Sequence, residues 1–112
     1  MVKPKRGEVW TIAGGGGRIT AKPRPALIIQ SDLFDVGDYI TIALITSVSA
    51  ESPVRVQLPE AYSVGLNQPS FVEADKITTV VRANLGKRIG IVPPATITEV
   101  ERAILVFLDI AR

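Results

Sequence analysis

Arg24 stands between Pro23 and Pro25 at the entrance to an apolar run, so fixed φ angles hold the backbone on both sides of a guanidinium. That group presents a planar fork of donors suited to phosphate oxygens and stays charged at any working pH. It could stabilise the extra negative charge of a phosphoryl transition state, or form half of a structural salt bridge. Thr46 and Ser47 place adjacent hydroxyls at the end of a long β-branched segment, where they could bond a phosphate or simply shape a turn. Glu73 and Asp75 share a face if their strand is regular through Ala74. Their proximity would then prepare one of them as a general base; solvation or pairing with Lys76 is the plainer alternative.

The sequence contains no histidine and no cysteine, which excludes disulfides, thiol nucleophiles, Cys/His zinc sites and imidazole proton carriers. No other carboxylate motif lies near Glu73 and Asp75, so no metal or cofactor is expected. Charge is unevenly spread. Residues 1–24 carry six basic side chains against Glu8 alone, residues 25–75 carry Arg55 against seven acids, and the remainder is basic again. That separation of sign predicts a basic face able to attract a polyanion. Gly14 to Gly17 is not a phosphate-binding fingerprint, because Arg18 to Pro25 contains two prolines and leads into a strand rather than a helix. It reads as a loop that, with Arg18, Lys22 and Arg24 beside it, could be a mobile lid over a basic site.

These residues need a scaffold, and 112 residues with 46% apolar content suffice for one domain, 1–112, with one core. Strands are expected at residues 7–12, 25–31, 39–47, 54–58, 70–73, 78–81 and 88–92. The second, with Ala26, Leu27, Ile28 and Ile29 in succession, has the pattern of a central strand. Residues 39–47 and 54–58 are expected to pair as a hairpin through the turn at 49–53. Many short strands at close spacing predict a small barrel or strongly curled sheet. After Pro93 and Pro94 a helix is expected, capped by Thr98 with Glu101 or by Thr96 with Glu99. Its apolar stripe, Val100, Ala103, Ile104, Phe107, Leu108 and Ala111, should plug the barrel, and Leu105, Val106 and Ile110 lie outside it as a possible subunit contact. Trp10, Tyr39, Tyr62 and Phe71 are expected to be mostly core. Nothing in the sequence resembles a signal peptide or membrane span, so a soluble cytoplasmic protein is expected.

Lys5-Arg6-Gly7-Glu8-Val9-Trp10, followed by Arg24-Pro25-Ala26-Leu27-Ile28-Ile29-Gln30-Ser31-Asp32, resembles the MazF/PemK family of toxin endoribonucleases. The likeness continues through Ala43-Leu44-Ile45-Thr46-Ser47, Gly65-Leu66, Pro69-Ser70-Phe71-Val72 and Asp75-Lys76-Ile77-Thr78-Thr79-Val80 to the closing helix. It implies a mainly β (α+β) fold, a small SH3-like β-barrel with a C-terminal α-helix and short connecting helices. It also implies a homodimer, cofactor-free and metal-independent cleavage of single-stranded RNA, and restraint by a cognate antitoxin, whose acidic, disordered tail would compete with RNA for the basic groove.

Carried over by position, Arg24 matches the family's catalytic arginine, Thr46 its active-site threonine and Asp75 the acidic position opening the later active-site segment. Ser47 and Glu73, with Arg18 and Lys22 on the glycine loop, are further RNA-binding candidates. Two departures are Thr78, where many members have arginine, and the absence of a histidine from the first loop. Two rival readings remain: a CcdB-like gyrase poison on the same barrel, whose Trp-Gly-Ile ending this chain lacks, and a non-catalytic RNA-binding barrel.

Overall fold

A computed structural model describes residues 3–13 and 22–111, apart from the side chain of Tyr62. The glycine run Gly14 to Gly17, Arg18 and the expected burial of Tyr62 lie outside the described residues. The chain forms β1 (Glu8–Ile12), β2 (Arg24–Ile28), β3 (Tyr39–Thr46), β4 (Arg55–Gln57), β5 (Phe71–Val81), β6 (Leu85–Ile91) and α1 (Pro94–Phe107), with 3-10 turns at Asp32–Phe34, Ala61–Val64 and Arg82–Asn84. The strands make one antiparallel sheet in the order β4-β5-β3-β2-β1-β6. This is the mainly β fold with a C-terminal helix that the sequence pointed to. The sheet is not closed, however: β4 and β6 are its two edges.

Each strand owes its place to alternation. β2 is buried on both faces, Ala26 and Ile28 in a cluster with Trp10, Ile12, Ile40, Ile42 and Leu85, and Leu27 in the opposite cluster with Val9, Ala43, Ile45, Val72 and Ala74. A run without polar alternation is what a central strand requires. The second cluster is covered by α1 through Val100 and Ala103 and by Val64 and Leu66 of the segment before β5. Arg82, only 5% exposed, ties the loop before β3 to the sheet: Nε donates to the Gly37 carbonyl at 3.1 Å and Nη1 pairs with Asp35 at 2.7 Å.

Four expectations are corrected. β4 pairs with β5 rather than forming a hairpin with β3, because β3 has two edges and both are taken, one by β2 and the other by the long β5. The separate strands at 70–73 and 78–81 are one strand, since 74–77 stays extended, and the Ala74 N–H reaches the Val54 carbonyl at 2.8 Å. α1 begins five residues earlier than a Thr98 cap would place it: Pro93 is the N-cap and Pro94 the first helical residue, where the missing N–H costs nothing and φ is already helical. Thr98 Oγ1 instead donates back to the Pro94 carbonyl at 3.2 Å. The helical stripe stops being core after Ile104, with Phe107 48% and Leu108 51% exposed. Trp10 is core, as expected, and Tyr39 at 61% exposed is not.

The segment leading into β5 is pinned against β6. Gly65 has φ +80°, and a Cβ there would run into the Ile89 carbonyl; across the same contact, a Cβ on Gly90 would meet the Val64 carbonyl. Gly65→Ala therefore combines a left-handed backbone with a main-chain collision, and is expected to lower unfolding free energy by about 2–3 kcal/mol. Urea denaturation measures this; an unchanged midpoint would contradict the close approach of residues 65 and 89.

Candidate nucleic-acid interface

The register of the central strands brings the candidate residues together. β2 and β3 pair Ile28 with Ile42, Leu27 with Ala43 and Ala26 with Leu44. The same register carried two residues on sets Arg24 level with Thr46, on one face of the sheet. Arg24 also lies opposite Ile12 of β1, and Thr46 opposite Phe71 of β5, so four strand ends meet there. They open onto a cleft of about 390 Å³, lined by Lys22, Pro23, Arg24 and Pro25 on one side, Ile45, Thr46, Ser47 and Val48 on the next, and Leu66, Asn67, Gln68 and Ser70 on the third.

Among the described residues, Lys22 and Arg24 are the cationic side chains of this lining, and no acidic side chain is part of it. Both are exposed, and among the described residues no ion pair engages Arg24. The structural salt bridge that the sequence left open for Arg24 is therefore not formed among those residues. A wall with one sign of charge attracts phosphates. Thr46 is half-buried, and its Oγ1 accepts from the Val48 N–H at 3.2 Å, which leaves the hydroxyl's own proton available to donate into the cleft. Ser47 is exposed beside it.

The two carboxylates are placed differently. Between Ala43–Ile77 and Ile45–Val72 the β3–β5 ladder is irregular, so the run from Glu73 to Lys76 departs from the regular pairing. Glu73 is buried and pairs with Arg55 of β4 at 3.0 Å, and Asp75 is partly buried with one carboxylate oxygen lacking a hydrogen-bond partner. Neither lines the cleft. Among the described residues no group of three or more carboxylates is arranged to hold a metal ion.

Asn67, Gln68 and Val48 are cleft residues that sequence reasoning did not single out for function. Asn67 was legible only as a turn former, and the pinning of Gly65 that aims this segment at the cleft depends on a contact with β6, remote in sequence.

Comparison with known proteins decides the family. The model of the PemK-like, MazF-like toxins of type II toxin-antitoxin systems matches residues 5–108. The chain belongs to that family. It is 38% identical over 108 residues to a Mycolicibacterium smegmatis protein described as "Probable endoribonuclease MazF", covering 96% of this chain and 98% of that one. It is 37% identical over 98 residues to Endoribonuclease MazF6 of Mycobacterium tuberculosis, covering 84% and 85%. Among solved structures, the Mycobacterium tuberculosis toxin MazF-mt6 superposes with TM-score 0.78 at 26% identity over 93% of this chain and 97% of that one. A MazE-MazF crystal structure from Deinococcus radiodurans superposes with TM-score 0.76 at 22% identity, over 96% and 97%, and shares the fold.

Because the toxin's Arg24 is exposed and outside any ion pair among the described residues, removing it should leave the fold intact. Arg24→Ala is expected to change unfolding free energy by no more than about 0.5 kcal/mol, read from thermal or urea unfolding; a larger loss would mean that the guanidinium is part of the core's support.

Proposed function

We propose that this toxin is an endoribonuclease that cuts single-stranded RNA, messenger RNA included, within short sequence motifs, and needs no metal to do so. One observation carries the reading: a cleft lined together by an arginine outside any described ion pair and a threonine whose hydroxyl proton is available. Relatives named endoribonuclease, at 37–38% identity over most of their length, point the same way.

RNA supplies its own nucleophile, so the protein need only position it and stabilise charge. The 2′-oxygen bonds to the adjacent phosphorus as the bond from phosphorus to the 5′-oxygen breaks. The 2′-hydroxyl proton is lost to a base and the departing 5′-oxygen gains one, leaving a 2′,3′-cyclic phosphate and a 5′-hydroxyl. Arg24 holds the charge developing on the non-bridging oxygens, Thr46 donates to one of them and fixes the phosphate in line, and Lys22 and Ser47 hold the strand. The outlying Asp75 is assigned to proton acceptance or RNA positioning beyond the cleft. Growth arrest would follow from loss of translatable message, and a cytoplasmic location is part of this reading; separately, no helix of the described chain is long and apolar enough to cross a membrane.

The same basic cleft suits the acidic, disordered tail of a cognate antitoxin, which would compete with RNA for it; MazE-MazF complexes of the same fold support such a partner. A homodimer is part of the reading, and the exposed Leu105, Val106, Phe107, Leu108 and Ile110 at the end of α1 provide apolar surface for it.

Incubation with single-stranded RNA in excess EDTA is expected to yield 2′,3′-cyclic phosphate and 5′-hydroxyl ends, with cut motifs mapped by sequencing the new 5′ ends. A 2′-deoxy substitution at the cut position should block cleavage there. Arg24→Ala and Thr46→Val should each slow cleavage by about 10²-fold or more. Full activity in Arg24→Ala would remove that residue from the site.

A further inference from the structure

Arg55 is no part of the cleft lining, yet it holds the strand end that carries Thr46. Its Nη2 pairs with Glu73 Oε2 at 3.0 Å, while Nη1 donates to the Val48 carbonyl at 2.9 Å. Val48 is the residue whose N–H donates to Thr46 Oγ1 at 3.2 Å. Glu73 lies opposite Arg55 in the β4–β5 register, and its chain neighbours Val72 and Ala74 are fully buried, so the carboxylate has little freedom. With the two side chains only 18% and 9% exposed, solvent screens this pair less than it would a surface pair. The Val48 side chain, in contrast, is 65% exposed, so apolar packing does little to hold the turn after Thr46.

The geometry points to Arg55 as a positioning residue for RNA cleavage: Glu73 aims its guanidinium, the guanidinium holds Val48, and Val48 orients the Thr46 hydroxyl with its proton toward the cleft. Glu73 then serves the reaction through Arg55 rather than by touching RNA. Arginine is needed because two acceptors must be met at once by a rigid fork; lysine brings one nitrogen, which can keep the pair with Glu73 but gives up the Val48 carbonyl. This inference rests on the role proposed above for Thr46, and its test separates the two.

The test compares wild type, Arg55→Lys, Thr46→Val and the double variant on a fluorogenic single-stranded RNA containing a mapped cut motif. Arg55→Lys is expected to lower kcat by up to about tenfold, the scale of one lost hydrogen bond, with KM and melting temperature nearly unchanged. In the Thr46→Val background the same substitution should change kcat little, because its effect passes through the missing hydroxyl. Wild-type kcat in Arg55→Lys, or an equal fall in both backgrounds, would overturn the positioning role while a crippled Thr46→Val leaves the site reading standing. An unimpaired Thr46→Val would overturn both. Should Arg55→Lys fail to fold, Glu73→Gln, which keeps an acceptor oxygen but weakens the aim, replaces it in the same cycle, with a smaller fall in kcat that again vanishes without Thr46.

Discussion

A slip of one residue between β2 and β3 would turn Arg24 to the opposite face from Thr46, and no cleft of this composition would survive it. What prevents the slip is burial on both faces of β2. Ala26 and Ile28 must point into one apolar cluster and Leu27 into the other, so a slip of one residue would exchange their surroundings. The cleft residues are thus placed by residues with no chemistry of their own. Pro23 and Pro25 add local stiffness at the point where the strand leaves the core, and the guanidinium emerges there into solvent.

The distribution of ion pairs complements this placement. Arg6 pairs with Glu101, Arg55 with Glu73, Arg82 with Asp35 and Arg88 with Glu8. Each of those acids meets an arginine whose task is holding elements together, while the cleft receives cations and no acid. Of the seven acids in residues 25–75, Asp35 and Glu73 are paired in this way, and none of the seven lines the basic cleft, although the two are contiguous in sequence. A polyanion approaching these strand ends meets a positive lining that the fold has not spent on its own stability.

How much of this was legible beforehand follows from the range of the interactions concerned. The apolar run at 26–29 announced a central strand because burial on both faces leaves a local trace. The mount of Arg24 was readable because proline acts on its immediate neighbours. The partner of β4 was not readable, since the choice between β3 and β5 depends on which edges other strands have already occupied. The separation of Glu73 from Asp75 failed for a related reason: two-residue spacing predicts a shared environment only where a strand keeps one regular partner, and β5 changes its pairing between Val72 and Ile77. A threonine three residues ahead of a glutamate looks like a cap, but Pro94 already supplies the first helical φ and sets the start of α1.

The absence of histidine gives the geometry more to do. With no imidazole to carry a proton near neutrality, the rate acceleration in the proposed reaction falls on preorganised charge and on the alignment of the 2′-oxygen with the bond it displaces. Alignment of that kind is intolerant, since a misplacement of about 1 Å can cost about 10²-fold. The fold answers with short, non-local restraints on every wall of the cleft: burial of β2 behind Arg24, the Arg55 fork behind Val48 and Thr46, and the close approach of Gly65 to Ile89 behind Asn67 and Gln68. These restraints come from three different strands besides β3, and each acts on backbone rather than on a catalytic side chain. Under the proposed function, a cleft held in this way can exchange its exposed side chains, and with them the RNA sequence it accepts, without disturbing the frame that would keep phosphate and guanidinium in register.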